Sequence, residues 1–132
     1  MGKIKMMLSG LLGSVFAART GNEGFRSVDA DEFEKIIHSG GMQLVDVRRV
    51  DEYAAGHIPG AVLIDVTRDD FLERAIATLD RGKPVAVYCR SGKRSAVAAR
   101  LLVKNGYRVV NLRDGWLEWS GKDKASEPAP LK

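Results

Sequence analysis

The sequence predicts an α/β fold in which a parallel sheet is covered by helices on both faces. Short, continuous apolar segments alternate along the chain with segments of helical periodicity, and such apolar segments are typical of strands buried on both faces. The length of 132 residues, with 45% hydrophobic and 29% charged residues, fits one soluble domain with one core.

Four strands are predicted as short apolar runs bounded by turn or loop residues: residues 43–47, 61–66, 84–88 and 108–112. Helical spacing of apolar residues predicts five helical segments: residues 30–39, 50–55, 71–79, 95–104 and 114–119. The first helix carries clear end signals, since Asp29 can cap it, Glu32 stands at the capping-box position, and Gly40 and Gly41 end it. A ligand of such a fold is expected beyond the carboxyl ends of the strands.

The N-terminal segment has the order of a secretory signal peptide. Lys3 and Lys5 precede an uncharged, mainly apolar stretch over residues 6–18, and a cut after Ala17 fits the small-residue rule. The stretch is too short to span a membrane, and an amphipathic helix packed on the domain is the alternative. We therefore expect a signal peptide over residues 1–18 and a periplasmic or otherwise exported protein, with a cytoplasmic location as the alternative.

The rest of the chain divides by composition. We expect a linker or the start of the domain over residues 19–27, a folded domain over 28–121 and a mobile tail, rich in Lys, Pro and Ala, over 122–132. The formal net charge is +4, but acidic residues are interleaved with basic ones, so no nucleic-acid partner is expected. A single cysteine excludes an internal disulfide, and two histidines far apart in sequence suggest no metal cluster.

Residues 89–95, Cys-Arg-Ser-Gly-Lys-Arg-Ser, join a predicted strand to a predicted helix. The start of a helix offers unpaired N–H groups and a partial positive charge, which bind anions and favour a thiolate. Gly92 allows the loop to curl, so that successive N–H groups surround an anion. The segment therefore predicts a nucleophilic Cys89 that faces an anionic ligand.

Four stretches of the chain resemble the single-domain rhodaneses, which are sulfurtransferases of the thiosulfate type. They occur in the family's order at residues 46–48, 52–61, 87–95 and 111–116, and read Asp-Val-Arg, Glu-Tyr-Ala-Ala-Gly-His-Ile-Pro-Gly-Ala, Val-Tyr-Cys-Arg-Ser-Gly-Lys-Arg-Ser and Asn-Leu-Arg-Asp-Gly-Trp. The resemblance implies a rhodanese-like fold, with a five-stranded, mostly parallel sheet between helices. It also implies that a cysteine persulfide passes sulfane sulfur from a donor to a thiophilic acceptor without a cofactor.

Cys89 is the candidate catalytic residue, as a thiolate that attacks the outer sulfur of the donor, and a buried structural cysteine is the alternative. The candidate substrate-binding residues follow it: Arg90, Ser91, Gly92, Lys93, Arg94 and Ser95. Lys93 and Arg94 are expected at the rim of the pocket, whereas the resemblance implies that Arg90 often points away from it. Ser95 is expected to cap the next helix rather than to take part in the chemistry.

The resemblance implies structural support from Asp46, Arg48 and His57. The aspartate would help to hold the active-site loop, the arginine would form an ion pair, and a histidine ring nitrogen would bond to backbone. Glu52 stands where the large two-domain rhodaneses have a second substrate-binding arginine. A carboxylate at that position disfavours a dianion such as thiosulfate.

Two other functions stay open. Glu52 favours a catalytically weak module that binds a partner or senses persulfides. Cysteine-dependent phosphatases of related fold place an arginine after five intervening residues, whereas here Arg94 follows Cys89 after four and Ser95 holds the phosphatase position. The shorter loop makes a smaller pocket, which suits one sulfur atom better than a whole phosphate.

The expected partners are a small anionic sulfur donor, with thiosulfate or a persulfide as the options, and a cyanide or thiol acceptor. An exported lone thiol would meet an oxidising compartment, so a thioredoxin-like reductant is also an expected partner. The chain itself is expected to be a monomer.

Overall fold

The computed structural model describes residues 24–129, so the expected signal peptide lies outside the described residues. Strands and helices alternate along this part of the chain. Their bounds are β1 Arg26–Val28, α1 Ala30–Ile37, β2 Gln43–Asp46, α2 Val50–Ala55, β3 Val62–Leu63, α3 Phe71–Thr78, β4 Val85–Tyr88, α4 Lys93–Lys104, β5 Val109–Leu112 and α5 Gly115–Gly121. No helix in this part of the chain has both the length and the apolar character that crossing a bilayer requires.

The five strands form one sheet in the order β1-β5-β4-β2-β3, and every neighbouring pair is parallel. The predicted α/β fold is confirmed, and within residues 24–129 the sheet is wholly rather than mostly parallel. Strand β4 is the central strand, and all four of its residues are buried. The residue after β4 therefore lies at the middle of the carboxyl edge of the sheet, where ligands bind in folds of this class.

Strand β1 begins at Arg26, so the end of the segment 19–27, expected as a linker or the start of the domain, belongs to the domain. Residues 26–28 pair with β5, and Phe25 just before them is buried in the core. The sequence pattern missed this strand because it has three residues, of which only Val28 is fully buried. A segment this short has no readable periodicity. Its backbone pairing with β5 makes it a strand.

Side chains of β4 alternate between two cores, one on each face of the sheet. Val85 and Val87 pack with residues of α3 and α4. Ala86 and Tyr88 pack on the opposite face with residues of α1 and α5. Cys89 continues this alternation and belongs to the core under α4. The strand thereby directs the thiol toward the beginning of α4.

The segment 122–129 corrects the expected mobile tail, because it packs against the domain. Glu127 and His57 exchange two backbone hydrogen bonds of 2.7 and 2.8 Å. The indole Nε1 of Trp119 donates to the carbonyl of Ala125 at 2.8 Å. The pairing of Glu127 with His57 joins residues far apart in sequence, so composition alone did not indicate it. Residues 130–132 lie outside the described range.

A chain truncated after Lys124 tests this packing. Truncation removes the carbonyl that accepts the Trp119 indole N–H and both backbone bonds to His57. We expect the free energy of unfolding to fall by about 1–3 kcal/mol, measured by urea denaturation. A chain that ends at Ala129 is the control and should match the full chain; equal stability of all three would contradict the packing.

Candidate active site

The loop after β4 is shaped by one glycine. Gly92 has a φ of 97°, in the left-handed region, and is the N-cap residue of α4. A Cβ on Gly92 would overlap the carbonyl oxygen of Arg113. The backbone angle and the close contact both require glycine here. The left-handed conformation of Gly92 turns the chain, so that α4 begins just beyond the thiol.

Helix α5 holds the same loop from the other side. The backbone N–H of Trp116 donates to the carbonyl of Cys89 at 2.8 Å, and that of Leu117 donates to the carbonyl of Arg90 at 3.1 Å. Gly115 has a φ of 67°, and a Cβ there would overlap both of these carbonyl groups. Sequence reasoning assigned Gly115 no role. The one signal was its place in the Asn-Leu-Arg-Asp-Gly-Trp stretch.

The Cys89 thiol is fully buried among hydrogen-bond donors. The N–H of Gly92 donates to Sγ at 3.1 Å, and the Ser95 hydroxyl lies 3.3 Å from Sγ and 3.2 Å from the Gly92 carbonyl. The first N–H groups of α4 have no intrahelical acceptor and carry a partial positive charge. This arrangement can stabilise a sulfur anion at the position of Sγ.

Ser95 does not cap α4, so that prediction was wrong. The helix begins at Lys93, two residues earlier than expected, because the left-handed turn at Gly92 starts it there. Ser95 therefore lies within the first turn, fully buried, with its hydroxyl beside Sγ. It is the residue of the loop, other than Gly92, that contacts the thiol directly.

Arg94 is held by an ion pair with Glu52. Its Nη1 and Nη2 donate to the two carboxylate oxygens at 2.8 and 3.0 Å. The hydrogen bond from Arg94 is the main cause that lowers the pKa of Glu52 from 4.5 to about 2. Because the pKa is lowered in the folded chain, the stabilising contribution of Glu52 is present above pH 4.5 and is lost as the pH falls toward 2. Arg94 thus faces a carboxylate in the folded chain, and its expected role in substrate binding stays a prediction.

The other loop residues are more exposed. Arg90, Ser91 and Lys93 have exposed side chains. Arg90 lines a cavity of about 320 Å³ whose lining does not include Cys89, so the implied orientation of Arg90 away from the thiol pocket stays a prediction. The lining residues are Arg48, Glu52, Ala55, Gly56, Arg90, Trp116 and Leu117. A cavity of this size can take a small ligand. The substrate-binding roles of the loop residues stay predictions.

Asp46 and Arg48 form a buried ion pair behind the site. Nη2 of Arg48 lies 2.7 Å from Oδ2 of Asp46 and also donates to the carbonyl of Gly56 at 2.7 Å. The guanidinium lies over the Trp116 ring, 4.8 Å from its centroid. The pair therefore ties the end of β2 to the end of α2 and to α5. This is the geometry expected of structural support.

His57 makes local structural contacts. Nδ1 lies 2.9 Å from the carbonyl of Tyr53, and the two rings stack with centroids 3.7 Å apart. Nε2 lies 3.4 Å from Oε1 of Glu127. The ring is buried, and each of its nitrogens lies near a polar partner, as expected of a histidine that bonds to backbone.

Comparison with known proteins decides the family. The family model described as "Rhodanese-like domain" matches residues 29–122. This chain belongs to the rhodanese-like family. The match begins at the residue before α1 and ends just after α5, so it covers all of the described fold except β1.

Relatives and a solved structure agree with this assignment. YrkF of Bacillus subtilis is 34% identical over 102 residues, which are 76% of this chain and 49% of that protein, so the chain spans about half of its length. Thiosulfate sulfurtransferase 18 of Arabidopsis thaliana is 33% identical over 105 residues, covering 70% of this chain and 76% of that one. A crystal structure of a rhodanese-related protein from Thermoplasma volcanium superposes with a TM-score of 0.69 at 27% identity, over 78% of this chain and 98% of that one.

Gly92→Ala tests the packing of the loop. The variant combines an unfavourable backbone angle with an overlap onto the Arg113 carbonyl, so we expect the free energy of unfolding to fall by more than about 2 kcal/mol. Gly40→Ala is the matched control, because Gly40 has a φ of +92° and open space around its Cβ position. The control should lose about 1 kcal/mol in urea denaturation. Equal losses would contradict the close contact.

Proposed function

We propose that this chain is a sulfurtransferase that moves sulfane sulfur from thiosulfate or a persulfide donor to a thiophilic acceptor through a persulfide on Cys89. The observation that carries the proposal is the position of Sγ, 3.1 Å from the Gly92 N–H and 3.3 Å from the Ser95 hydroxyl at the start of α4. A sulfur anion at this position faces hydrogen-bond donors and the positive end of a helix. Relatives that are named sulfurtransferases support the proposal.

The first half-reaction loads sulfur onto Cys89. The thiolate attacks the outer sulfur of thiosulfate, a new S–S bond forms at Sγ, and the S–S bond of thiosulfate breaks. Sulfite leaves with the electron pair of the broken bond, and the terminal sulfur of the persulfide keeps one negative charge. A persulfide donor R–S–SH reacts in the same way and releases R–S⁻.

The second half-reaction passes the sulfur from the Cys89 persulfide to the acceptor. Cyanide attacks the terminal sulfur and leaves as thiocyanate, or an acceptor thiolate attacks and leaves as a new persulfide. In either case the Sγ–S bond breaks and its electron pair returns to Sγ as the thiolate. The loop amides serve both halves, because the negative charge lies either on Sγ or on the terminal sulfur bonded to it.

The site fits phosphate-ester chemistry poorly. Ser95 occupies the position where a phosphatase carries its arginine, and its side chain is short and buried against the thiol. The preceding arginine, Arg94, is bound to Glu52. The cations that would hold a phosphate are therefore absent from the depth of this loop.

A module that binds a partner or senses persulfides is the second candidate. The complete burial of the Cys89 side chain favours it, because a donor must open a path to the sulfur. This candidate shares the persulfide with the first but lacks turnover, so the rate of discharge to an acceptor separates the two.

Export and reduction complete the proposal. With the signal peptide removed, the domain acts in an oxidising compartment, and a thioredoxin-like protein returns an oxidised Cys89 to the thiol. Fractionation of the source cells for the mature chain tests export. A retained N-terminus in the cytoplasmic fraction would contradict it.

Intact mass tests the persulfide. Purified protein treated with thiosulfate, and separately with an alkyl persulfide, is expected to gain the mass of one sulfur atom and to lose it as thiocyanate on addition of cyanide. Cys89→Ser is the control and should gain nothing. A reduced, folded wild-type chain that gains no sulfur from either donor would overturn the proposal.

Ser95→Ala tests the hydroxyl beside the thiol. Loss of this hydrogen bond is expected to lower the rate of sulfur transfer about three- to thirtyfold, because one donor to the sulfur anion is removed. Ser126→Ala, in the exposed C-terminal segment, is the control. Rates equal to wild type for Ser95→Ala would show that the hydroxyl bonds only to the Gly92 carbonyl.

A further inference from the structure

We propose that Glu52 is a positioning residue that sets the charge preference of the site, because it holds Arg94 in a neutral ion pair and thereby favours sulfur donors of low charge over dianions. This inference rests on the proposed sulfurtransferase function and names the donor class of the same site. It assigns Glu52 a role in specificity that acts through Arg94.

The geometry of the pair supports a fixed rather than a transient contact. Two parallel hydrogen bonds join the guanidinium to the carboxylate, and both side chains are about three-quarters buried. The pair links α2 to α4, the helix that begins at the active-site loop. A bidentate, partly buried pair of this kind keeps Arg94 in one orientation.

Arg94 lies near the thiol, because it directly precedes Ser95 in the first turn of α4 and the Ser95 hydroxyl is 3.3 Å from Sγ. The pKa of Arg94 is raised chiefly by its hydrogen bond with Glu52, and the negative charges of Cys89 and Asp65 raise it further. Glu52 in turn faces Arg48 as well as Arg94, and its Oε1 accepts a bond from the Arg49 N–H. A change of charge on Glu52 therefore reaches the sulfur through the adjacent guanidinium.

The charges around the loop offer little net attraction for a dianion. Arg48 is paired with Asp46 and Arg94 with Glu52. Arg90 and Lys93 form no ion pair within residues 24–129, but they are exposed, and salt screens exposed charges. A dianion must give up much of its hydration to enter. A persulfide carries at most one charge on its sulfur, so it loses less hydration than a dianion when it enters.

Glu52→Gln removes the carboxylate charge of Glu52 while keeping the length of its side chain. The amide oxygen of glutamine can still accept the Arg49 N–H, so the start of α2 keeps its cap, but Arg94 loses its counter-charge. Arg94→Gln makes the opposite change and leaves Glu52 unpaired. The double variant has the same net charge as the wild type. Asp51→Asn, an exposed carboxylate on the same helix, controls for the removal of a charge elsewhere on α2.

The first experiment measures donor preference. We expect Glu52→Gln to raise kcat/KM for thiosulfate about five- to tenfold, mainly through a lower KM, and to change that for hydroxyethyl persulfide by less than about twofold. Asp51→Asn should change neither value. An unchanged thiosulfate value, or equal changes with both donors, would overturn the proposal.

The second experiment does not require sulfur transfer. Cys89 is alkylated by iodoacetate, an anion, and by iodoacetamide, which is neutral, and the ratio of the two rates reports the charge preference alone. We expect Glu52→Gln to raise this ratio about threefold, Arg94→Gln to lower it by a similar factor, and the double variant to return it near the wild-type value.

A merely structural ion pair would give a different pattern. Both single variants would then loosen the loop and move the two alkylation rates together, leaving the ratio unchanged, and that result would overturn the proposal. If neither sulfur donor loads Cys89 in any variant, the proposed function fails, and the alkylation ratios still decide whether Glu52 and Arg94 act as a neutral pair.

Discussion

The close approach of the active-site loop to the start of α5 is the constraint on which the site depends. The carbonyl groups of Cys89 and Arg90 accept hydrogen bonds from N–H groups in the first turn of that helix. The backbone contacts at Gly92 and Gly115 are so close that a Cβ has no space at either position. With its carbonyl groups bound on the outside, the loop can turn N–H groups inward toward Sγ. The environment of the thiol is thus a consequence of backbone packing between two helices and the end of the central strand.

The electrostatics of the site follow from this packing. Partial charges at the start of α4 face the sulfur directly, whereas the full charges of Arg48 and Arg94 are matched by carboxylates. In the proposed reaction, backbone dipoles stabilise a charge that stays on sulfur through both half-reactions, and they do so without the desolvation that a buried ion would suffer. The matched side-chain charges contribute no such stabilisation in this proposal, in which they set the ligand charge that the site prefers.

The buried Asp46–Arg48 pair connects strand β2 and helix α2 to the residues around the site. It joins the end of β2 to the carbonyl of Gly56, and its guanidinium packs on Trp116, the residue whose N–H binds the Cys89 carbonyl. Residues 122–129 pair with His57, the neighbour of Gly56. The four motif stretches that are scattered along the sequence therefore contact one another around the loop.

The sequence by itself determined the α/β class, four of the five strands, the position of Cys89 and the family, because apolar periodicity and local motifs are encoded within a few residues. Only the tertiary structure decided strand β1, the packed segment 122–129, the start of α4 at Lys93 and the bond between Ser95 and the thiol. It also decided that Arg94 binds Glu52, 42 residues away in sequence. Strand β1, the packed segment and the Arg94–Glu52 pair depend on contacts between distant segments, which no local pattern predicts. The start of α4 and the position of Ser95 depend on the backbone turn at Gly92, where the close contact with the Arg113 carbonyl requires glycine.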